Sequence, residues 1–225
     1  MKHLQGLIFD LDGTLLDSAP DLRQAINLML AENGRRPLTL EEVKQAIGDG
    51  MMDTVRRAFA ATGAVPSTDL FPFVQQYIKH YRSLSADPSQ IFPHVVDLLE
   101  HYGKAGVKMG VCTNKAENAT HHQLQKLHLA HHFTFIAGGD TFVTHKPNPD
   151  HVYGVIAALD VPRENCVMVG DSRNDVLAAH GAGVPCIIIR QGYGDESDDL
   201  RADHTINHFG ELPKALAALG FSELG

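Results

Sequence analysis

Short apolar runs recur along the chain, each closed by a glycine or a polar residue. They occupy 6–10 (Gly6-Leu7-Ile8-Phe9-Asp10), 107–112, 134–137, 165–169 and 186–189, with a weaker run at His204-Thr205-Ile206. Their length and lack of strict alternation predict strands buried on both faces. Helical spacing fills the intervals. Val95, Leu98, Leu99 and Tyr102 form one apolar face that stops before Gly106, and 116–128, 149–159 and 173–182 are further helices. Strands alternating with helices predict an α/β fold with a doubly wound parallel sheet, Rossmann-like in plan.

The segment 18–85 breaks this rhythm, with helical stripes and no convincing strand. The stripes are Leu22, Ile26, Met29 and Leu30; Leu40, Val43 and Ile47; Met52, Val55 and Phe59; and Leu70, Val74, Tyr77, Ile78 and Tyr81. Gly34, Gly48, Gly50 and Gly63 punctuate them. Four helices inserted after the first strand predict a helical cap at 17–85 on a core of 1–16 and 86–225. The crossings near 16–20 and 82–92 would be its hinges.

Composition narrows the function. The 225 residues carry a formal net charge of -8 and no basic run, which argues against nucleic acid and anionic membrane surfaces as partners. No apolar stretch approaches the ~20 residues of a membrane span. The N-terminus enters a strand-like run at once, so no signal peptide is expected. Cys112, Cys166 and Cys186 are far apart in apolar runs, as suits small buried hydrophobes in a reducing compartment. A cytoplasmic protein is expected. His128 and His132 have a metal-compatible spacing, but no Asp, Glu or Cys stands close to them, and they read as a solvated helix end.

Candidate chemistry sits where strands end. Asp10-Leu11-Asp12-Gly13-Thr14 puts two carboxylates two residues apart after the first strand. Asp10 can attack phosphorus as a carboxylate nucleophile. Asp12 can protonate a leaving oxygen and later take a proton from water. Val111-Cys112-Thr113-Asn114-Lys115 is again a strand running towards a helix, where the Thr113 hydroxyl and the following amide of Asn114 can hold a phosphate oxygen at the helix N-terminus. In His145-Lys146-Pro147-Asn148-Pro149-Asp150, the prolines would hold the loop extended, and Lys146 can neutralise a carboxylate and a transferring phosphoryl group. Gly170-Asp171-Ser172-Arg173-Asn174-Asp175 supplies Asp171 to meet Asp10 around Mg²⁺, with Asp175 one turn on as a ligand or supporting partner. Taken singly, each motif is also a turn, a helix cap or a surface charge. Their joint order at successive strand ends selects phosphoryl chemistry.

These motifs resemble the haloacid dehalogenase superfamily over essentially the full chain. Residues 9–22, 47–59, 111–115, 138–140, 146–150 and 169–185, with Gln191-Gly192-Tyr193-Gly194, look most like the bacterial phosphoglycolate phosphatases. The resemblance implies Mg²⁺ held by Asp10, the backbone carbonyl of Asp12 and Asp171, and a cap over the active site. Asp12 argues against haloalkanoate dehalogenases, which lack a second acid. Lys44 and Lys79 fit no phosphonatase cap motif. One departure is Ile91-Phe92-Pro93-His94-Val95, where the family usually has a glycine and where a stiffer hinge is expected.

The expected activity is Mg²⁺-dependent hydrolysis of a small phosphate ester, foremost 2-phosphoglycolate, by a monomer or homodimer. Discrimination would come from the cap turn Gly48-Asp49-Gly50, its backbone amides facing the ligand, with Arg56 or Arg57 adding charge. Alternatives are a phosphatase for a sugar phosphate or pyrophosphate, a sugar-phosphate mutase, and a catalytically silent binding module.

Overall fold

The computed structural model describes residues 2–84, 87, 90–193 and 201–222. Gly194, and residues 85, 86, 88 and 89 of the second crossing, lie outside the described residues.

Six parallel strands form the main sheet. They are β2 (Gly6–Phe9), β3 (Lys108–Cys112), β4 (Phe135–Ala137), β5 (Cys166–Gly170), β6 (Cys186–Ile189) and β7 (His204–Ile206), in the order β4-β3-β2-β5-β6-β7. All six fall on the expected runs within a residue or two. The chain builds outward from β2 in one direction and then, from β5, in the other. The order therefore reverses beside β2, and the carboxyl ends of β2, β3 and β5 flank the crevice where open α/β sheets bind ligands.

Alternate residues explain the continuous apolar runs. Leu7, Phe9, Val167, Val169, Ile187 and Ile189 point into one core layer. Ile8, Cys166, Met168, Cys186 and Ile188 point into the other. Helices α5 (Val95–Lys104), α6 (Glu117–Lys126) and α9 (Leu212–Ala218) bury apolar residues in the first layer; α7 (Pro149–Leu159) and α8 (Arg173–Gly181) in the second. A sheet buried on both faces has no polar side to alternate with. All three cysteines are free and buried, and burial pushes Cys112 and Cys166 up to about 12. Such thiols behave as hydrophobes.

Helices α1 (Ala19–Glu32), α2 (Leu40–Ala46), α3 (Met51–Thr62) and α4 (Phe71–Ser83) lie between β2 and β3 in sequence and share a separate apolar cluster. The start of α2 is a capping box, Thr39 and Glu42 each satisfying the other's backbone. Three expected stripe residues differ. Met52 is exposed, and Thr54 and Ala58 fill the buried face of α3 with Val55 and Phe59. Ile47 follows the last turn of α2 in an extended conformation, and Leu70 caps α4 instead of lying within it. Three elements were not expected: β1 (Lys2–His3), β8 (Phe221–Ser222), which pairs with β1, and α9.

The two crossings run side by side. Asp17 N donates to Gln90 O at 2.7 Å, and Phe92 N donates to Leu15 O at 3.1 Å. His94, where a glycine was expected, takes the left-handed conformation with φ 70°. The turn geometry is thus kept by a residue type that tolerates it better than most. His94→Val should destabilise the fold by about 1–2 kcal/mol, because a branched Cβ is strained there, while His94→Gly should change stability by less than about 1 kcal/mol. Urea unfolding of both variants measures this. Equal stability of the valine variant and the parent protein would show that the turn is not held as described.

Candidate active site

At the carboxyl edge of β2 the chain turns sharply through Gly13, at φ 88°. A Cβ at Gly13 would collide with the Asp171 carboxylate, and one at Gly170 with the Asp175 carboxyl. Glycine at these positions lets the acidic side chains converge.

Lys146 sits between them. Its Nζ lies 2.5 Å from Asp175 Oδ1 and 2.9 Å from Asp10 Oδ1, with only 2% of the side chain exposed. The solvated surface-charge reading of this lysine is therefore excluded. The contact with Asp10 is a charge contact, since Asp10 Oδ1 is buried without a hydrogen bond. The Lys146–Pro147 peptide is cis, not the extended segment expected. Lys146 N donates to His151 Nδ1 at 3.2 Å, and Lys146 O accepts from Asn114 Nδ2 at 2.9 Å. Asp175 is fully buried, its second oxygen accepting from Asp171 N, Ser172 N and the Ser172 hydroxyl.

Asp171 accepts from Tyr193 N at 2.6 Å and from the Thr14 hydroxyl at 3.3 Å. Asp10, Asp171 and Asp175 each offer an oxygen, all within 4.8 Å of one another. One ammonium faces these three carboxylates. Burial pushes Asp10 up to about 6 against the pull of Lys146, and burial with the nearby Asp10 and Asp175 charges holds Asp171 well above the usual carboxylate range. Three buried carboxyl groups that converge as an all-oxygen donor set fit a hard divalent cation such as Mg²⁺.

Other expected residues are placed differently from the sequence reading. Thr113 is buried and lines the cleft, but α6 begins at Glu117 with Ala116 as its cap, so Thr113 is not at a helix N-terminus. Asn114 Nδ2 donates to Gly48 O at 3.0 Å as well as to Lys146 O, so both side-chain hydrogens tie the turn at Gly48 to the lysine loop, whereas the expectation concerned its backbone amide. Gly48 and Gly50 have φ 113° and 91°, and both line the cleft. Asp49 pairs with Arg57 and accepts from Asn174, which hold its carboxylate below the ordinary range despite desolvation. Arg57 lines the cleft, whereas Arg56 turns to Asp53 on the exposed side. His131 is exposed and His132 half-buried, their rings tilted at 38° with centroids 3.9 Å apart, and neither belongs to the acidic cluster.

Sequence reasoning missed Lys115. Its Nζ contacts both Asp12 oxygens, at 3.0 and 3.2 Å, and the Tyr81 hydroxyl at 2.8 Å. The cleft beneath the four helices is about 970 Å³, ample for a small ester.

Residues 7–189 match the family of haloacid dehalogenase-like hydrolases. The chain belongs to that family. It is 38% identical to a phosphoglycolate phosphatase of Agrobacterium fabrum (strain C58 / ATCC 33970) over 211 residues, covering 93% of this chain and 91% of the relative. It is 40% identical to one of Caulobacter vibrioides over 215 residues, covering 95% and 91%. A crystal structure of a predicted phosphoglycolate phosphatase from Haemophilus somnus 129pt superposes with a TM-score of 0.89 at 27% identity, covering 95% of this chain and 98% of that one. This haloacid dehalogenase-like hydrolase is thus a phosphatase, and the binding-module alternative falls. Among the described residues no helix is long and apolar enough to cross a membrane.

His151 gives the hydrolase a measurable acid response. It is buried, with Nδ1 accepting from Lys146 N and Nε2 facing Gly138 O at 3.1 Å. Burial and the Lys146 charge push it down to about 4. An unfolded histidine titrates near ~6.5, so between these values the unfolded chain holds the extra proton. The contribution of neutral His151 is present above pH ~6.5 and is lost as pH falls towards about 4, with a slope of up to about 1.4 kcal/mol per pH unit. Asp10 and Asp171, shifted upward, act in the opposite sense, so the His151 share is read as the difference between parent and His151→Gln stability curves. Curves that run parallel from pH 7 to pH 4 would reject this account.

Proposed function

We propose that the chain is a Mg²⁺-dependent phosphatase acting through a phosphoaspartate on Asp10, with 2-phosphoglycolate as its preferred ester. The observation that carries this reading is the buried Lys146 ammonium wedged between Asp10 and Asp175 beside Asp171. A solvated turn would not bury three carboxylates against one cation.

Mg²⁺ held by Asp10, Asp171 and the Asp12 backbone carbonyl would neutralise charge on the transferring phosphoryl oxygens. The remaining chemistry belongs to the chain. Asp10 forms a bond to phosphorus as the ester P–O bond breaks. Asp12 gives its proton to the departing alkoxide, then takes one from the water that attacks phosphorus, and the Asp10–phosphorus bond breaks. Lys146 offsets negative charge on Asp10 and the phosphoryl group, and Thr113 holds a phosphate oxygen. Asp175 orients Lys146, since its oxygens are already engaged. Residues 17–85 act as the cap on a core of 1–16 and 86–225. In the cap, the turn at Gly48–Gly50 and the first amides of α3 face the second anion of the substrate. Pairing of Asp49 with Arg57 offsets the repulsion that its carboxylate would exert there, and Asn174 holds its other oxygen.

A panel of small phosphate esters with Mg²⁺ tests the reading. Asp10→Asn should lose turnover by more than about 10³-fold while keeping the fold, and activity within about tenfold of the parent would remove Asp10 from the mechanism. Asp12→Asn should lower kcat/KM, which reports the leaving-group step, on the order of 10²-fold for alkyl phosphates and much less for aryl phosphates, because an aryl oxide leaves without a proton. Phosphoglycolate should show the highest kcat/KM in the panel, and Gly50→Val should raise its KM more than that of p-nitrophenyl phosphate. A sugar phosphate hydrolysed faster than phosphoglycolate would move the substrate assignment to that class and leave the phosphatase reading standing.

A further inference from the structure

We infer that Lys115 is a positioning residue for the acid–base carboxylate of Asp12, and that Tyr81 on α4 links that carboxylate to the cap helices. The inference rests on the reading of Asp12 as general acid and extends it to two residues with no assigned part in the reaction.

The geometry is specific. Lys115 Nζ spans both oxygens of Asp12, at 3.0 and 3.2 Å, which fixes the plane of the carboxylate as well as its distance. Its other partner is the Tyr81 hydroxyl, at 2.8 Å, and the ammonium lies 4.6 Å from the Tyr81 ring centroid. Both residues line the cleft, but the lysine side chain is only 6% exposed against 21% for Asp12, its ammonium being engaged by Asp12 and Tyr81. The ammonium therefore does not reach into the cleft as a free charge. It presents Asp12 there.

The contact continues across the boundary between the helical layer and the sheet layer. The Tyr81 hydroxyl donates to Gln123 Oε1 at 2.9 Å, and Gln123 Nε2 donates to Gln90 Oε1 at 3.5 Å. Gln90 Nε2 then donates to Asp21, in the first turn of α1. The line thus begins at the carboxylate that must meet the leaving oxygen and ends beside both crossings. A buried ion pair contributes little net stability compared with apolar groups of the same shape, so stability alone gives weak reason to keep such a line. General acid catalysis gives a stronger one, because displacing a catalytic group by about 1 Å can cost about 10²-fold in rate.

The test compares kcat/KM for phosphoglycolate and for p-nitrophenyl phosphate, with Mg²⁺, in the parent enzyme and in Asp12→Asn, Lys115→Met, Lys115→Arg and Tyr81→Phe. Lys115→Met should reproduce the leaving-group pattern of Asp12→Asn: a loss on the order of 10²-fold on the alkyl ester and within about threefold on the aryl ester. Lys115→Arg should recover part of the alkyl activity. Tyr81→Phe should lose about three- to tenfold, again on the alkyl ester only. A merely structural role would lower both esters together. If Asp12→Asn is leaving-group-selective while Lys115→Met and Tyr81→Phe are not, the positioning role is overturned and the acid role stands. If Asp12→Asn itself is unselective, both fall. Should Lys115→Met fail to fold, Tyr81→Phe, which removes one hydroxyl, decides alone.

Discussion

One buried ammonium organises the carboxyl edge of the sheet. A charge with 2% exposure is tolerable only when it is paired, and Lys146 is paired twice, with Asp10 and Asp175. Its backbone is held as firmly as its side chain. The amide donates to His151, on α7, and the carbonyl accepts from Asn114, after β3. Asp175 in turn sets the start of α8 through its capping box with Ser172. The start of α7, five residues on, and three distant stretches of chain thus converge on one residue. The same arrangement brings the Asp171 carboxyl beside the two that Lys146 contacts.

Much of this was legible from residue order. The strands were readable because a sheet covered on both faces demands unbroken apolar runs, and because each run at the sheet centre ended on a chemically distinct residue. The four-helix insertion was readable because its stripes repeat at helical spacing between two strands. The short β1 and β8 carry no signal, since a two-residue strand has no pattern. Helix α9 did carry one: Leu212, Ala215 and Leu216 follow helical spacing, with Pro213 in the first turn. Met52 was misread because Met51, one position earlier, packs against the cluster in its place, on the face of Val55 and Phe59.

Several contacts escaped the sequence reading because they form only in the folded chain. Lys115 was quoted within a motif but given no role, because its partner Asp12 lies 103 residues away and Tyr81 lies in the helical insertion. The side chain of Asn114 has a linking part that spacing does not show, because the two carbonyls it holds, Gly48 O and Lys146 O, converge only in the folded chain. His94 looked like a stiffened hinge because residue type alone does not reveal a left-handed turn. Motifs at strand ends report which groups the sheet brings to one edge. They do not report which of those groups are spent on one another.

The seam between the helical layer and the sheet layer shows how those expenditures serve a cleft. Its polar contacts join Asn114 to Gly48, Asn174 to Asp49 and Lys115 to Tyr81, each linking a motif segment to the helical layer. A hydrogen bond of this kind exchanges with water for a net of only about 0.5–1.5 kcal/mol, whereas a large buried aliphatic side chain contributes about 1.5–3 kcal/mol. An apolar seam would fix the layers; a polar one leaves their contact nearly balanced. It also places each contact one residue or one side chain from the motif residues at the cleft: Asn114 beside Thr113, Asn174 beside Asp175, Lys115 on Asp12. Under the proposed mechanism, an ester held by Thr113 and Asp12 meets groups adjacent to the contacts that hold the helices over the sheet. The chemistry and the seam are built from adjacent residues of the same loops, so one cannot shift without the other.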